Sequence, residues 1–189
     1  MRLPPLFLLL TSVLAGSASA QASSERSAVA VDGTVAGLCI LGPPSRPSID
    51  LGTLIALSGS RVGRIKVIGA QQISLPGSFC NFAGTAVTVS ARAMRTRGIV
   101  NVEPGFSRAV NYTSTVSNWA AQQAAATTGA TAQGQSASST GTGGYQSLPR
   151  IADLEVTLSG FFTPGDALLM ADDYEGSVTI TLGPSAVAD

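Results

Sequence analysis

Nine residues near the C-terminal end, YEGSVTITL (Tyr174–Leu182), alternate without interruption. Tyr174, Gly176, Val178, Ile180 and Leu182 fall on one face of an extended chain, and Glu175, Ser177, Thr179 and Thr181 on the other. A helical period of 3.6 scatters these residues, whereas a strand with one face on a core collects them. The same period recurs upstream. DLEVTLSGFF (Asp153–Phe162) sets Leu154, Val156 and Leu158 against Glu155, Thr157 and Ser159, and TAVTVSARAM (Thr85–Met94) carries Val87, Val89 and Ala91. AVNYTSTVSNW (Ala109–Trp119), SIDLGTLI (Ser48–Ile55) and RIKVIGAQQISL (Arg64–Leu75, broken at Gly69) read as further strands, with PGSFCNFAG as a turn. In SAVAVDGTVAGLC (Ser27–Cys39), Val29, Val31 and Val35 share a face with Cys39. About seven short strands between turn signals, with no long helical pattern, predict an all-β antiparallel sandwich.

One stretch departs from this pattern. Residues 120–144, AAQQAAATTGATAQGQSASSTGTGG, hold no charge, no large apolar side chain and no proline. Such a segment has little apolar area to offset its ordering entropy, which predicts a flexible low-complexity loop inside the domain. AAQQAAA alone could start a helix, but a polar helix this short is marginal.

The N-terminus assigns a compartment. Arg2, the apolar run from Leu6 to Leu10 and Ala18-Ser19-Ala20 form the three parts of a secretory signal, too short to span a bilayer. Residues 1–20 are therefore read as a signal peptide and the protein as exported. The whole chain has eleven basic and eleven acidic residues; loss of Arg2 leaves ten against eleven. That balance does not recruit nucleic acid or an anionic membrane. Two cysteines remain, Cys39 and Cys80. In an oxidising compartment an even count with no C-x-x-C and no histidine reads as one disulfide, stabilising by about 4 kcal/mol through loop closure.

A search for catalytic chemistry returns little. With no histidine in the chain, the commonest general base and metal ligand are both missing. There is no G-x-S-x-G elbow, phosphate loop or calcium loop. Asp172, Asp173 and Glu175 are acidic neighbours, but adjacent strand residues point to opposite faces, so a solvated turn is expected rather than a calcium site. Arg92, Arg95 and Arg97 read as edge charges that deter strand pairing. Tyr112 and Trp119 could stack on a sugar, although packing preference favours a core place. Asn111-Tyr112-Thr113 matches a glycosylation sequon. No enzyme, cofactor, metal or small-molecule substrate is expected.

These segments, in this order, resemble the spore coat protein U family and related pilin-like subunits of chaperone–usher assemblies. The matching pieces are AVAVDGTVAGLC leading into the first cysteine, IDLGTL (Ile49–Leu54), the second cysteine at Cys80, NYTSTVSNW (Asn111–Trp119) and the closing YEGSVTITL. The long 120–144 segment and the trailing GPSAVAD depart from the family pattern. The resemblance implies an incomplete immunoglobulin-like sandwich that lacks one strand. A periplasmic chaperone would fill the groove, and an outer-membrane usher would then exchange it for the N-terminal segment of a neighbouring subunit. On that basis residues 21–34 form a donor-strand-like extension, with Val29 and Val31 as its plugs. Residues 35–189 form the domain, with Val35–Cys39 as its own first strand. Tyr174, Val178, Ile180 and Leu182 then line the groove. The implied setting is the periplasm and a cell-surface or secreted fibre. The alternative is a self-complete secreted sandwich that pairs Ser27–Val35 in its own sheet and binds a partner, as an adhesin does, through Trp119–Gly144.

Overall fold

A computed structural model describes residues 25–98 and 101–184. The expected signal peptide and the tail beyond Pro184 lie outside the described residues. The chain divides after Val35 into two units. In the first, residues 25–35 belong to no strand and are exposed throughout.

The second unit is all-β. Among the described residues its strands are β1 (Cys39–Ile40), β2 (Gln71–Cys80), β3 (Thr85–Thr96), β4 (Phe106–Ser107) and β5 (Ala109–Ser117). They continue with β6 (Ala124–Thr127), β7 (Ser138–Gln146), β8 (Arg150–Phe162), β9 (Leu168–Leu169) and β10 (Tyr174–Pro184). One sheet runs β1-β2-β8-β5-β6; the other places β3 between β10 and β7. β5 joins them: Ala109 and Val110 pair with Arg95 and Met94 of β3, and residues from Asn111 onward then pair with β8. The ladders are antiparallel except for the short β4–β9 pair. This is the sandwich that the alternation predicts.

The core lies between the sheets. Leu154 and Val156 of β8, Val87 and Val89 of β3 and Val116 of β5 are essentially inaccessible, each contributing about 2 kcal/mol of burial. Trp119 and Tyr112 belong to the same core, which settles their role as packing residues. The Trp119 indole N–H donates to the Thr85 carbonyl at 3.4 Å, and the Tyr112 ring lies 5.7 Å from that of Phe161. Asn111 of the sequon is also enclosed. Its amide clamps Ala130 in both directions, donating to the carbonyl at 2.9 Å and accepting from the N–H at 2.8 Å.

The segment 120–144 is the main correction. It is not a loop: it supplies β6 and most of β7, and it buries Ala124, Ala126, Ala130 and Ala137. AAQQAAA forms no helix. Small side chains let backbones approach, so hydrogen bonds replace apolar area as the source of order. Thr128 N–H donates to Tyr112 O at 3.0 Å, Ala93 N–H to Ala137 O at 2.7 Å and Arg108 N–H to Ala132 O at 3.0 Å. A side chain at Gly141 would place its Cβ 1.7 Å from the Ala125 carbonyl, so only glycine permits β7 to cross β6 there.

Other boundaries also move. Ser48–Ile55 joins no ladder, and only isolated bridges tie Ile55 to Ile65 and Ala56 to Val62. Residues 64–70 precede β2 rather than belonging to it, and Pro76-Gly77 sits in a bulge of β2 opposite Asp153, whose carboxylate accepts the Gly77 N–H at 2.8 Å. β3, which carries Arg92 and Arg95, is an interior strand, so these arginines do not guard an edge. The loop at Arg61–Arg64 is fastened to the turn at Asp166 by both guanidinium groups. The Arg61 hydrogen bond to Asp166 holds that carboxyl below its usual range; desolvation opposes it, and the charges of Arg61 and Arg64 add to the lowering.

Candidate assembly groove

Cys39 and Cys80 face each other across the β1–β2 pair and form the expected disulfide, which fits an oxidising, exported location. The predicted home strand is shorter than expected, because β1 holds only Cys39–Ile40. For Ala36–Leu38 the side chain of Asn81 replaces a ladder. Its Oδ1 accepts the Leu38 N–H at 2.7 Å, and its Nδ2 donates to the Ala36 carbonyl at 2.9 Å. This polar hook, with one backbone bond from the Asn81 N–H to the Leu38 carbonyl at 3.0 Å, anchors the start of this unit.

Val29 and Val31 are 85 % and 91 % exposed and belong to no strand. The four residues expected to line a groove are together on β10. Val178, Ile180 and Leu182 point inward yet are only half-buried against the main core, and Tyr174 packs on a smaller cluster around Val110. The Tyr174 hydroxyl sits 3.1 Å from the Ser107 carbonyl and 3.0 Å from that of Met170. Burial pushes this phenol up to about 12, with the Met170 hydrogen bond opposing and the Asp172 charge adding.

β10 pairs on one side only. Its partner is β3, and among the described residues nothing pairs with its other edge. Facing that edge is Pro47–Leu51, which alternates half-buried Ile49 and Leu51 with exposed Ser48 and Asp50. No backbone hydrogen bond among the described residues joins Ser48–Leu51 to a neighbouring strand. Between the two lies a cleft of about 420 Å³ whose floor is Ile73, Leu158, Phe161, Tyr112 and Met94. A second cleft of about 460 Å³ continues past Tyr174 and shares Ile49, Leu51 and Met94 with the first. The Tyr112 hydroxyl reaches up from this floor to the carbonyls of Arg92 and Ser177, at 2.9 and 3.0 Å, beside the β10 bulge at Gly176. Burial raises that phenol to about 12 as well, the hydrogen bond to Arg92 opposing.

The groove therefore combines an unpaired strand edge with half-buried core side chains. Covering Val178, Ile73, Leu158 and Phe161 fully would add about 1 kcal/mol apiece. Of the β10 residues named from the sequence, Tyr174 and Val178 border the cleft, whereas Ile180 and Leu182 do not. Sequence reading missed the opposite wall, since Ser48–Ile55 read as a strand, and it missed the floor. The only sequence signal for that wall is the Ile49/Leu51 alternation. Asp172, Asp173 and Glu175 do not converge: Asp172 accepts the Asp173 N–H at 2.8 Å, and Glu175 pairs with Arg97. Comparison with protein-family models, curated proteins and solved structures finds no match to this chain.

Proposed function

We propose that this protein is a structural subunit of a surface fibre, assembled by donor-strand exchange through a periplasmic chaperone and an outer-membrane usher. The observation that carries this reading is the groove, where the free edge of β10 and the unpaired Pro47–Leu51 backbone flank exposed core. An extended strand seated there gains main-chain hydrogen bonds and sends alternate side chains into the floor. Left open, the same feature is an aggregation hazard, which explains the need for a chaperone. The segment Ala28–Thr34 has the matching period, with Val29 and Val31 two residues apart on one face. Its exposure, and its absence from any strand, support donation to a neighbour over pairing within its own sheet. Head-to-tail donation does not close on itself, so it generates a filament. Resemblance to the spore coat protein U family points the same way.

The test is deletion of residues 21–32. The shortened protein is expected to bind a synthetic Ser27–Val35 peptide in the groove but not to polymerise, as followed by light scattering. Normal polymerisation of the shortened protein would rule out donation by this segment.

A further inference from the structure

The outer face of the three-strand sheet, turned away from the core, carries a second ordered surface. In β3 it presents Thr88 and Ser90, in β7 Thr142 and Thr140, and in β10 Thr181 and Thr179. The registers align them in two ranks: Thr142–Thr88–Thr181 and Thr140–Ser90–Thr179. Cross-strand bonds fix four of the six hydroxyls, at 3.0 Å between Thr88 and Thr142 and at 3.1 Å from Thr140 to Ser90.

Threonines on a solvent face of a sheet are ordinary. The two ends of this face are not. A bulge in the β3–β7 register brings Tyr145 beside Ala86 on the rank beyond Thr142, where its ring is 68 % exposed and Gly183 leaves open space on the next strand. At the other end Arg92 lies between Ser138 and Ser177. Arg92 is exposed, and among the described residues its guanidinium has no ion pair or hydrogen-bond acceptor. Beyond it Arg97 and Glu175 neutralise one another. Six residues of strand separate the ranks of Ala86 and Arg92, about 20 Å. An aromatic plate, two ranks of oriented hydroxyls and an unpaired cation thus lie in line. The other sheet's outer face carries Asp153 and Glu155, whereas this one carries Arg92.

We infer that this face binds an extended anionic polysaccharide, a chain of uronate sugars. Tyr145 stacks on one sugar ring, the Thr and Ser hydroxyls exchange hydrogen bonds with sugar hydroxyls, and Arg92 takes a carboxylate in bidentate fashion. The inference does not rest on the groove, and a strand seated in the groove leaves this face free.

The full-length protein is titrated calorimetrically with an alginate oligosaccharide and, separately, with a neutral cello-oligosaccharide. Saturable binding of alginate at least about tenfold tighter than the neutral chain, weakening with salt, is expected. Arg92→Gln and Tyr145→Ala should each weaken alginate about tenfold without shifting the unfolding midpoint, since both side chains are exposed. Ile151→Ser, on the other sheet, should bind as wild type does. Equal affinity for the two glycans, no binding of either, or wild-type affinity in Arg92→Gln and Tyr145→Ala would each overturn the inference.

Discussion

The two long sides of this sandwich are built oppositely. On one, β6 and β7 bring the sheets into backbone contact: Gly141 and Gly143 lie against Ala124 and Ala125, and Gly144 N–H donates to Gln122 O at 2.9 Å. On the other, β10 and Pro47–Leu51 stand apart with apolar side chains at the bottom. The sealed side uses glycine, alanine and threonine; the open side uses valine, isoleucine, leucine and tyrosine. Apolar content is therefore higher where the edge is open. Small residues close an edge because they allow main chains to hydrogen-bond at short range. Large residues left half-buried leave an edge open.

The largest effect should come from attacking the seal. Gly141→Val drives a side chain into the Ala125 carbonyl and is expected to cost about 3 kcal/mol by overpacking, or to prevent folding. A urea midpoint unchanged from wild type would show that the seam is loose. Next comes a matched pair of truncations. Val156→Ala, in a fully enclosed site, should cost about 2.5 kcal/mol. Val178→Ala, on the half-open face of β10, should cost only about 1 kcal/mol. Equal costs would mean that the open side is as complete as the sealed one.

A further effect is alkaline, and it falls on the open side, where Tyr112 and Tyr174 both lie. Each has a folded-state value of about 12, pushed up mainly by burial. The unfolded chain loses these protons first, so the stability they contribute is intact below about pH 10 and is lost as pH rises toward 12. Urea melts at pH 8 and pH 11 should show this loss in wild type and little of it in a Tyr112→Phe/Tyr174→Phe variant. The same loss in both proteins would place its origin elsewhere.

Strands with one apolar face could be read from the sequence because alternation is local. β3, β5, β8 and β10 all follow it, with ends displaced by a few residues. The cysteine pairing followed from count and compartment. β6 and β7 could not be read this way. The stretch between them is held by contacts with Asn111, Tyr112, Ala93 and Arg108, which lie 16 to 44 positions away in the chain. The groove was half visible for the same reason. Val178, Ile180 and Leu182 carry the period of a buried face, and nothing local tells whether the layer above them is present.

By itself the sequence determined the class of fold, the disulfide and the inward face of each apolar strand, because side-chain alternation and cysteine count are properties of neighbouring residues and composition. Only the tertiary structure decided which edge is sealed and which is open, that Pro47–Leu51 forms a wall without being a strand, and that Tyr145, the hydroxyl ranks and Arg92 share one surface. Those outcomes depend on how closely distant backbones can approach, which glycine and alanine permit at β6–β7 and the larger side chains beneath β10 do not.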